Sequence, residues 1–424
     1  MSRRGWGVWL GLSGMVAGLV GIETVLAAPT LSYAAAELET GGGYRPGEPP
    51  VDAAYARFIG TLEVALTGTL GARAVVAPCL GAYIDTPDSV GDCSPHRLIE
   101  HMSVDGFGAE YDFSIGRQVV SLGNTEGFVL LDRLNGRDYC RFARLDTDNK
   151  LPNGLARGRV FAGPATFTLL YAPFSPESRT PASDGYCADR YNDPGGLDHL
   201  SPPDHEGLSD WAGALGFGLD LDRWNFTLNL LSTREDVFVL RTAPTFEKTR
   251  PRTHWLGGSA STTLGDFVLR GEWAYAPERA FTLTSAETLA RVMRGETTDG
   301  TEERWNLLGS LGLELRDGDW FWALQYFRDQ VENGADLSRR RLQEMVSLRT
   351  RVGFANDRVE LSVFAIADLT AQDLAFNVVV DYEINDSVRL EAGGTLYSDY
   401  AGAAGYFGEY AGRESFFLRL NWTL

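Results

Sequence analysis

A chain of 424 residues with 44% hydrophobic side chains can bury a large core or close a large sheet on itself. Its formal net charge of -19 excludes nucleic acid as a partner, since displacing phosphate counterions needs a cationic surface and no basic tail offsets the acidic balance. All but two of the 38 cationic residues are arginine, the exceptions being Lys150 and Lys248; the bias either supplies bidentate donors for carboxylates, phosphates or sugar acids, or reflects base composition alone.

At the N-terminus Ser2-Arg3-Arg4 precedes an uncharged stretch from Gly5 to Ile22 and then Val25-Leu26-Ala27. Charged head, apolar core and small-residue cleavage site predict a secretory signal peptide over residues 1–27 and a single mature domain over 28–424. The residues after the paired arginines do not complete a twin-arginine motif. No later stretch holds about 18 uninterrupted apolar residues, so insertion in a membrane requires a closed barrel in which every backbone group is paired.

Beyond the signal the chain is dominated by segments of about ten residues that alternate apolar and polar side chains, the pattern of strands with one face to lipid and one to a wet lumen. The first is expected near 31–42. Towards the C-terminus Val346, Leu348, Val352 and Phe354 oppose Ser347, Arg349, Arg351 and Gly353; Val359, Leu361, Val363 and Ala365 oppose Arg358, Glu360 and Ser362; Val388, Leu390, Ala392 and Leu396 oppose Arg389, Glu391 and Thr395. The last segment places Phe416, Leu418, Leu420, Trp422 and Leu424 on one face, the form of a terminal strand read by the barrel-insertion machinery. Helical spacing would scatter these charges and is absent.

Short polar turns (Leu221-Asp222-Arg223, Gly265-Asp266, Asp317-Gly318-Asp319, Asn356-Asp357, Asn385-Asp386) alternate with long segments near 79–103, 123–155, 174–211, 234–252, 277–304 and 399–414. That rhythm predicts an all-β, antiparallel up-and-down transmembrane barrel of about 18 strands (16 to 18), with short periplasmic turns and long extracellular loops. Cys79 and Cys93 would share one outer loop, and Cys140 and Cys187 two consecutive ones, so these pairings cross no membrane; four cysteines allow three connectivities, and free thiols are the other alternative. Trp224, Trp255, Trp273, Tyr275, Trp305, Trp320, Trp322, Tyr326 and Trp422 cluster towards strand ends, as an interfacial girdle would.

The stretch Ile115-Gly116-Arg117-Gln118-Val119, followed by Asp132, Asn135 and Asp138-Tyr139, resembles a large family of bacterial outer-membrane proteins related to alginate-export-type porins. There a Gly-Arg-Gln strand leads to an Asp-x-x-Asn-Pro-x-Asp-Tyr loop; here Gly136 replaces the proline. Blocks near Thr168–Pro173, Trp224–Thr227, Arg252–Gly258 and Gly265–Glu272 continue the resemblance over most of 105–424. It implies a porin-type barrel and leaves the solute open.

No Gly-x-Ser-x-Gly elbow is present, and no histidine can be placed beside Ser121, Ser259 or Ser310; His254 is the best candidate base and reads better as structural. The scattered histidines give no metal-type spacing, and the acidic loops near 146–149 and 184–193 lack calcium-loop spacing, so neither metal nor cofactor is expected. The chemistry lies on the presumed inward face: Arg157, Arg159, Arg270, Glu272, Glu314, Arg316, Arg349, Arg351, Arg358, Glu360, Arg389, Glu391 and Arg419. Fixed charges there would set a transverse field and favour anionic solutes such as sugar acids, or would pair across strands merely to stiffen the wall. Arg339-Arg340-Arg341 could meet lipopolysaccharide phosphates, fold into the pore, or form a solvated turn. The expected function is a porin-like outer-membrane channel for small polar or anionic solutes. The rivals are a plugged structural or binding barrel and, behind it, a hydrolase at the rim.

Overall fold

Alternating segments with a lipid-compatible face can satisfy their backbone only by pairing on both edges, and the computed structural model does this with one antiparallel sheet. It describes residues 30–44, 53–66, 69–76, 79–82, 98–123, 130–137, 150–175, 178, 210–235, 238–296, 298–399, 407–408 and 414–423. In chain order the strands are β1 (Thr30–Tyr44), β2 (Ala53–Ala65), β3 (Leu70–Val76, continued by Cys79–Ala82), β4 (Ile99–Phe107), β5 (Tyr111–Gln118), β6 (Asn153–Ala162), β7 (Ala165–Ala172), β8 (Ala212–Leu221) and β9 (Trp224–Arg234). They continue as β10 (Arg252–Leu264), β11 (Phe267–Thr282), β12 (Thr301–Asp317), β13 (Trp320–Val331), β14 (Leu342–Phe354), β15 (Val359–Asp368), β16 (Asp373–Asn385), β17 (Val388–Asp399) and β18 (Glu414–Thr423).

Both pieces of β3 pair with β2, so the 19 pieces of the sheet form eighteen staves. Each stave pairs with its neighbours in the chain, and β1 also pairs with β18, from Ala35 opposite Thr423 to Tyr44 opposite Glu414. The ring is therefore closed, with the strand number the sequence predicts. At one end the staves are joined by connections as short as Gly163-Pro164, Asp222-Arg223, Gly265-Asp266, Gly318-Asp319 and Asp386-Ser387. The positive φ of Gly265 (+65) and Gly318 (+57) accounts for glycine in two of these tight turns. The other end carries the long connections 119–152, 173–211, 235–251, 283–300 and 400–413.

Burial follows the pleat. On β12 Leu307, Leu311 and Leu313 are 41%, 56% and 42% exposed, whereas Asn306, Ser310 and Glu314 are 0%, 8% and 8% exposed. Apolar residues outside and polar residues inside is the inverse of a soluble sheet and the signature of a lipid-facing ring. Among the predicted girdle residues, Trp224 stacks on Phe226 (5.5 Å) and Trp320 on Trp322 (5.4 Å), all outward and beside short turns. Trp255 is a correction: its position on β10 turns it inward, where it is 2% exposed.

The segment near 277–304 also departs from expectation. β11 runs on to Thr282, β12 starts at Thr301, and helix α1 (Ser285–Met293) fills the connection. Thr284 caps it by accepting from the Glu287 N–H, and Glu287 pairs with Arg291 one turn on. The helix turns Arg291 towards Glu302 and Asp336 of the barrel and leaves Leu289, Val292 and Met293 exposed, an apolar face at helical spacing that was legible in the sequence. The signal peptide, Cys93, Cys140, Cys187, Asp138 and Tyr139 lie outside the described residues, as does the side chain of Cys79, so the disulfide pairing remains an expectation.

Candidate functional site

The pleat carries the twelve candidate wall residues that lie on strands to the face opposite the exposed apolar band; Arg358 stands in the turn before β15. Neighbouring strands then decide which of them meet. Arg159 lies directly opposite Asp112 and grips it with two nitrogens, Nε at 2.9 Å and Nη2 at 2.5 Å. Arg419 lies opposite Glu391 and donates to both its oxygens at 2.8 and 2.9 Å. Arg270 reaches Glu314 diagonally at 2.5 and 3.2 Å, and Arg389 reaches Asp381 at 3.3 Å. Such pairs hold the guanidinium planes in place; those on the wetted wall contribute about 0–1 kcal/mol each to stability.

Arg349 and Arg351 also meet aromatic rings. Each faces a phenylalanine across the ladder and lies over its ring: Arg349 over Phe364 at 5.0 Å, Arg351 over Phe321 at 4.5 Å. A ring face orients a guanidinium without neutralising it. Arg270, Glu314, Gln325, Ser347, Arg349 and Phe364 line one shallow recess in the wall. Arg157 lies on β6 with its Nε buried; Arg316, Arg358 and Glu360 stand exposed at the short-turn end, where Glu360 accepts from Ser362 rather than forming a pair with Arg358. Asp112, Asp381 and the two rings were missed from sequence, although each shares the parity of its arginine's strand and was legible by that rule.

The lumen is narrowed by a segment that sequence treated only as a motif-bearing loop. Residues 130–137, between β5 and β6, touch β10 and β11: the Leu131 N–H donates to Glu272 Oε1 (3.3 Å), and Arg133 lies over Trp255 at 4.9 Å. Staves β7 to β9 intervene along the wall, so the segment reaches β10 and β11 by crossing the interior. Leu130, Leu131 and Leu134 are 4%, 0% and 2% exposed. The motif residues brace it: Asn135 Nδ2 donates to Val120 O (2.7 Å) and Asp132 Oδ1 (2.6 Å), and Lys150 Nζ holds Asp132 Oδ2 at 2.8 Å. Leu130, Leu131 and Leu134, three leucines within five residues of a connecting loop, were the available signal.

A second insertion meets the first. Phe407, from the connection between β17 and β18, is fully buried in the same apolar cluster as Leu131, Leu134 and Trp255. The N–H groups of Phe407 and Gly408 both donate to Asp373 Oδ2 at 2.8 Å. Glu272, a wall candidate, thus serves as an anchor for the inserted loop.

At the long-loop end the inward face carries a continuous polar network. Glu235 accepts from Arg279 (2.8 Å) and Thr253 (2.7 Å), Arg279 reaches Asn306 (2.8 Å), and Asn306 reaches Asp329 (2.7 Å). Arg339 joins it at Asp329 (2.7 Å), so the first of the three consecutive arginines folds into the mouth. His254 is on the outer face of β10 and Ser259 on the inner, so these two do not assemble as nucleophile and base. Among the described residues no group of three or more His, Cys, Asp or Glu side chains could hold a metal ion.

No family model matches the sequence, and no curated protein does. Solved structures do match the fold. OccAB4 of Acinetobacter baumannii superposes with a TM-score of 0.53 at 10% identity over 95% of this chain and 100% of that one. OccAB1 of the same organism gives 0.52 at 12% identity over 95% and 98%, and OccK5 (OpdH) of Pseudomonas aeruginosa 0.51 at 12% over 92% and 97%. At these identities the likeness is one of fold, and with the closed ring it establishes an outer-membrane-type β-barrel.

Proposed function

We propose that this barrel is a porin-like channel of the bacterial outer membrane that passes small polar or anionic solutes, sugar acids among them, down their gradients and without a cofactor. The observation that carries this reading is the pair Arg349 and Arg351, oriented by Phe364 and Phe321 on an inward wall beside a segment that narrows the lumen. A ring face fixes where a guanidinium points, so both cations hold a set orientation on the wall that a passing anion meets. No reacting group is called on. Export by the 1–27 signal and insertion through β18 complete the reading.

The relation to alginate-export-type porins rests on the motif. Gly116 has φ +146 against β4, where a Cβ would lie 2.1 Å from the Met102 carbonyl oxygen; Arg117 Nε donates to Ile99 O at 2.7 Å; Gln118 accepts from Ser114 at 2.8 Å. With Asp132 and Asn135 these residues fix the start of the inserted loop.

A second reading, a plugged binding barrel, is favoured by the apolar cluster in which Leu131, Leu134 and Phe407 meet the wall. Single-channel recording of the refolded protein in a planar bilayer separates the two. Stable steps with anion preference support the channel; a folded, heat-modifiable barrel that never conducts leaves the plugged one.

A further inference from the structure

On β4 the alternation that points Met102 and Val104 to lipid, 55% and 42% exposed, points His101, Ser103 and Asp105 into the ring, one above the other. Their side chains touch in that order: His101 Nε2 lies 2.8 Å from Ser103 Oγ, and Ser103 Oγ donates to Asp105 Oδ2 at 2.7 Å. The order fixes the imidazole. The one proton of the Ser103 hydroxyl goes to the Asp105 carboxylate, which has none to give, so the hydroxyl accepts from His101 Nε2–H. Nδ1 is then the nitrogen left to take up a second proton. The column is no nucleophile and base, because the serine stands in the middle with its proton committed to the carboxylate.

The surroundings set what that second proton does. On β2 and β3 Glu63 and Arg73 lie opposite one another and pair at 3.3 Å, and Arg73 is in turn the ladder partner of Ser103. The β5 partners of Ser103 and Asp105 are Gly116 and Ser114, and the β3 partner of His101 is Val75, none of them charged. Glu63 and Arg73 cancel. Among the described residues the patch therefore keeps the charge of Asp105 while the imidazole is neutral, and loses it once the imidazole is protonated. β4 and β13 are nine staves apart in either direction round the ring of eighteen, which sets the column across the lumen from β13 and β14. The levels agree as well. Counted from the short turns that begin at Gly108 and Ala355, His101 and Arg349 stand seven and six residues up, Asp105 and Arg351 three and four. A solute between the two walls meets arginine on one side and, on the other, a carboxylate whose charge the imidazole can cancel.

We propose that His101 is a selectivity-setting residue of this channel: on gaining a proton it cancels Asp105 through Ser103, and the wall opposite Arg349 and Arg351 stops repelling anions. The proposal rests on the channel reading and adds a pH dependence that arginine cannot supply, since histidine is the side chain that ordinarily changes charge between about pH 5 and 8.

The test is the reversal potential of the full refolded chain across a salt gradient in a planar bilayer, recorded from about pH 8 down to about pH 5, with heat-modifiability as the check of folding. The anion-to-cation permeability ratio of the wild type is expected to rise roughly twofold or more as pH falls, the effect of one unit charge about 10 Å away in water. His101→Gln flattens the profile over that range, and His101→Arg holds the acid value throughout. His254→Gln, a change on the outer face of β10, leaves the profile as it is. Ser103→Ala, which keeps the imidazole but cuts its link to Asp105, moves the pH at which the change occurs. A His101→Gln profile that matches the wild type overturns the proposal; so does an unmoved profile in Ser103→Ala, or a wild type that conducts with no pH dependence, and each of these leaves the channel standing. A barrel that never conducts removes the channel reading and the role of His101 with it.

Discussion

Leu131 of the inserted loop occupies the space that Gly257 leaves open on β10: a Cβ at Gly257 would lie 2.5 Å from Leu131 Cδ2. Glycine at an inward position of a strand marks a close approach, and here what approaches is a segment from another part of the ring. Because the same Cβ would lie 2.6 Å from the Trp273 carbonyl oxygen, Gly257→Ala strains the wall as well. Leu131→Ala is the cleaner probe. It removes a fully buried leucine, a loss of about 2–5 kcal/mol, most of it charged to loop docking. Larger or noisier single-channel currents with an unchanged barrel are expected; identical currents would mean that the loop does not set the aperture.

Asp132 and Lys150 form an enclosed ion pair at the base of the loop, their side chains 1% and 14% exposed. Removing one partner of a buried pair typically costs about 3–5 kcal/mol. Asp132→Ala should therefore release residues 130–137, seen as faster amide exchange there than in the flanking strands, while Lys150→Met, which removes the charge but keeps the stem, has the smaller effect.

If Arg349 and Arg351 set ion preference, Arg349→Gln/Arg351→Gln shifts the reversal potential in a salt gradient towards cation selectivity. Arg419→Gln, whose partner Glu391 is then left unbalanced, shifts it the same way. An unmoved potential in the first variant assigns Arg349 and Arg351 to wall packing.

Phe407 and Asp373 are expected to act together. Phe407→Ala removes a fully buried ring, worth about 3–5 kcal/mol, and Asp373→Asn weakens both N–H bonds at 2.8 Å. Each should raise open probability, and the double variant should add little to Phe407→Ala, as contacts in one unit are not additive. Full additivity would separate the clamp from the ring.

The period-2 alternation of charge and apolar side chains, with short turns at every second connection, determined much by itself. It dictated the barrel, the strand number, the pairing order and the face on which Arg159, Arg270, Arg349 and Arg419 stand, because these follow from local geometry and from the need to pair every backbone group. What the tertiary structure alone decided is which residues meet inside. Leu131 reaches Gly257, Phe407 reaches Asp373, Trp255 turns from the girdle to the core, and Arg339 folds into the mouth. These contacts cross the ring or join loops distant in sequence, where no periodicity operates, and they are set by the shape of the space that eighteen closed staves enclose.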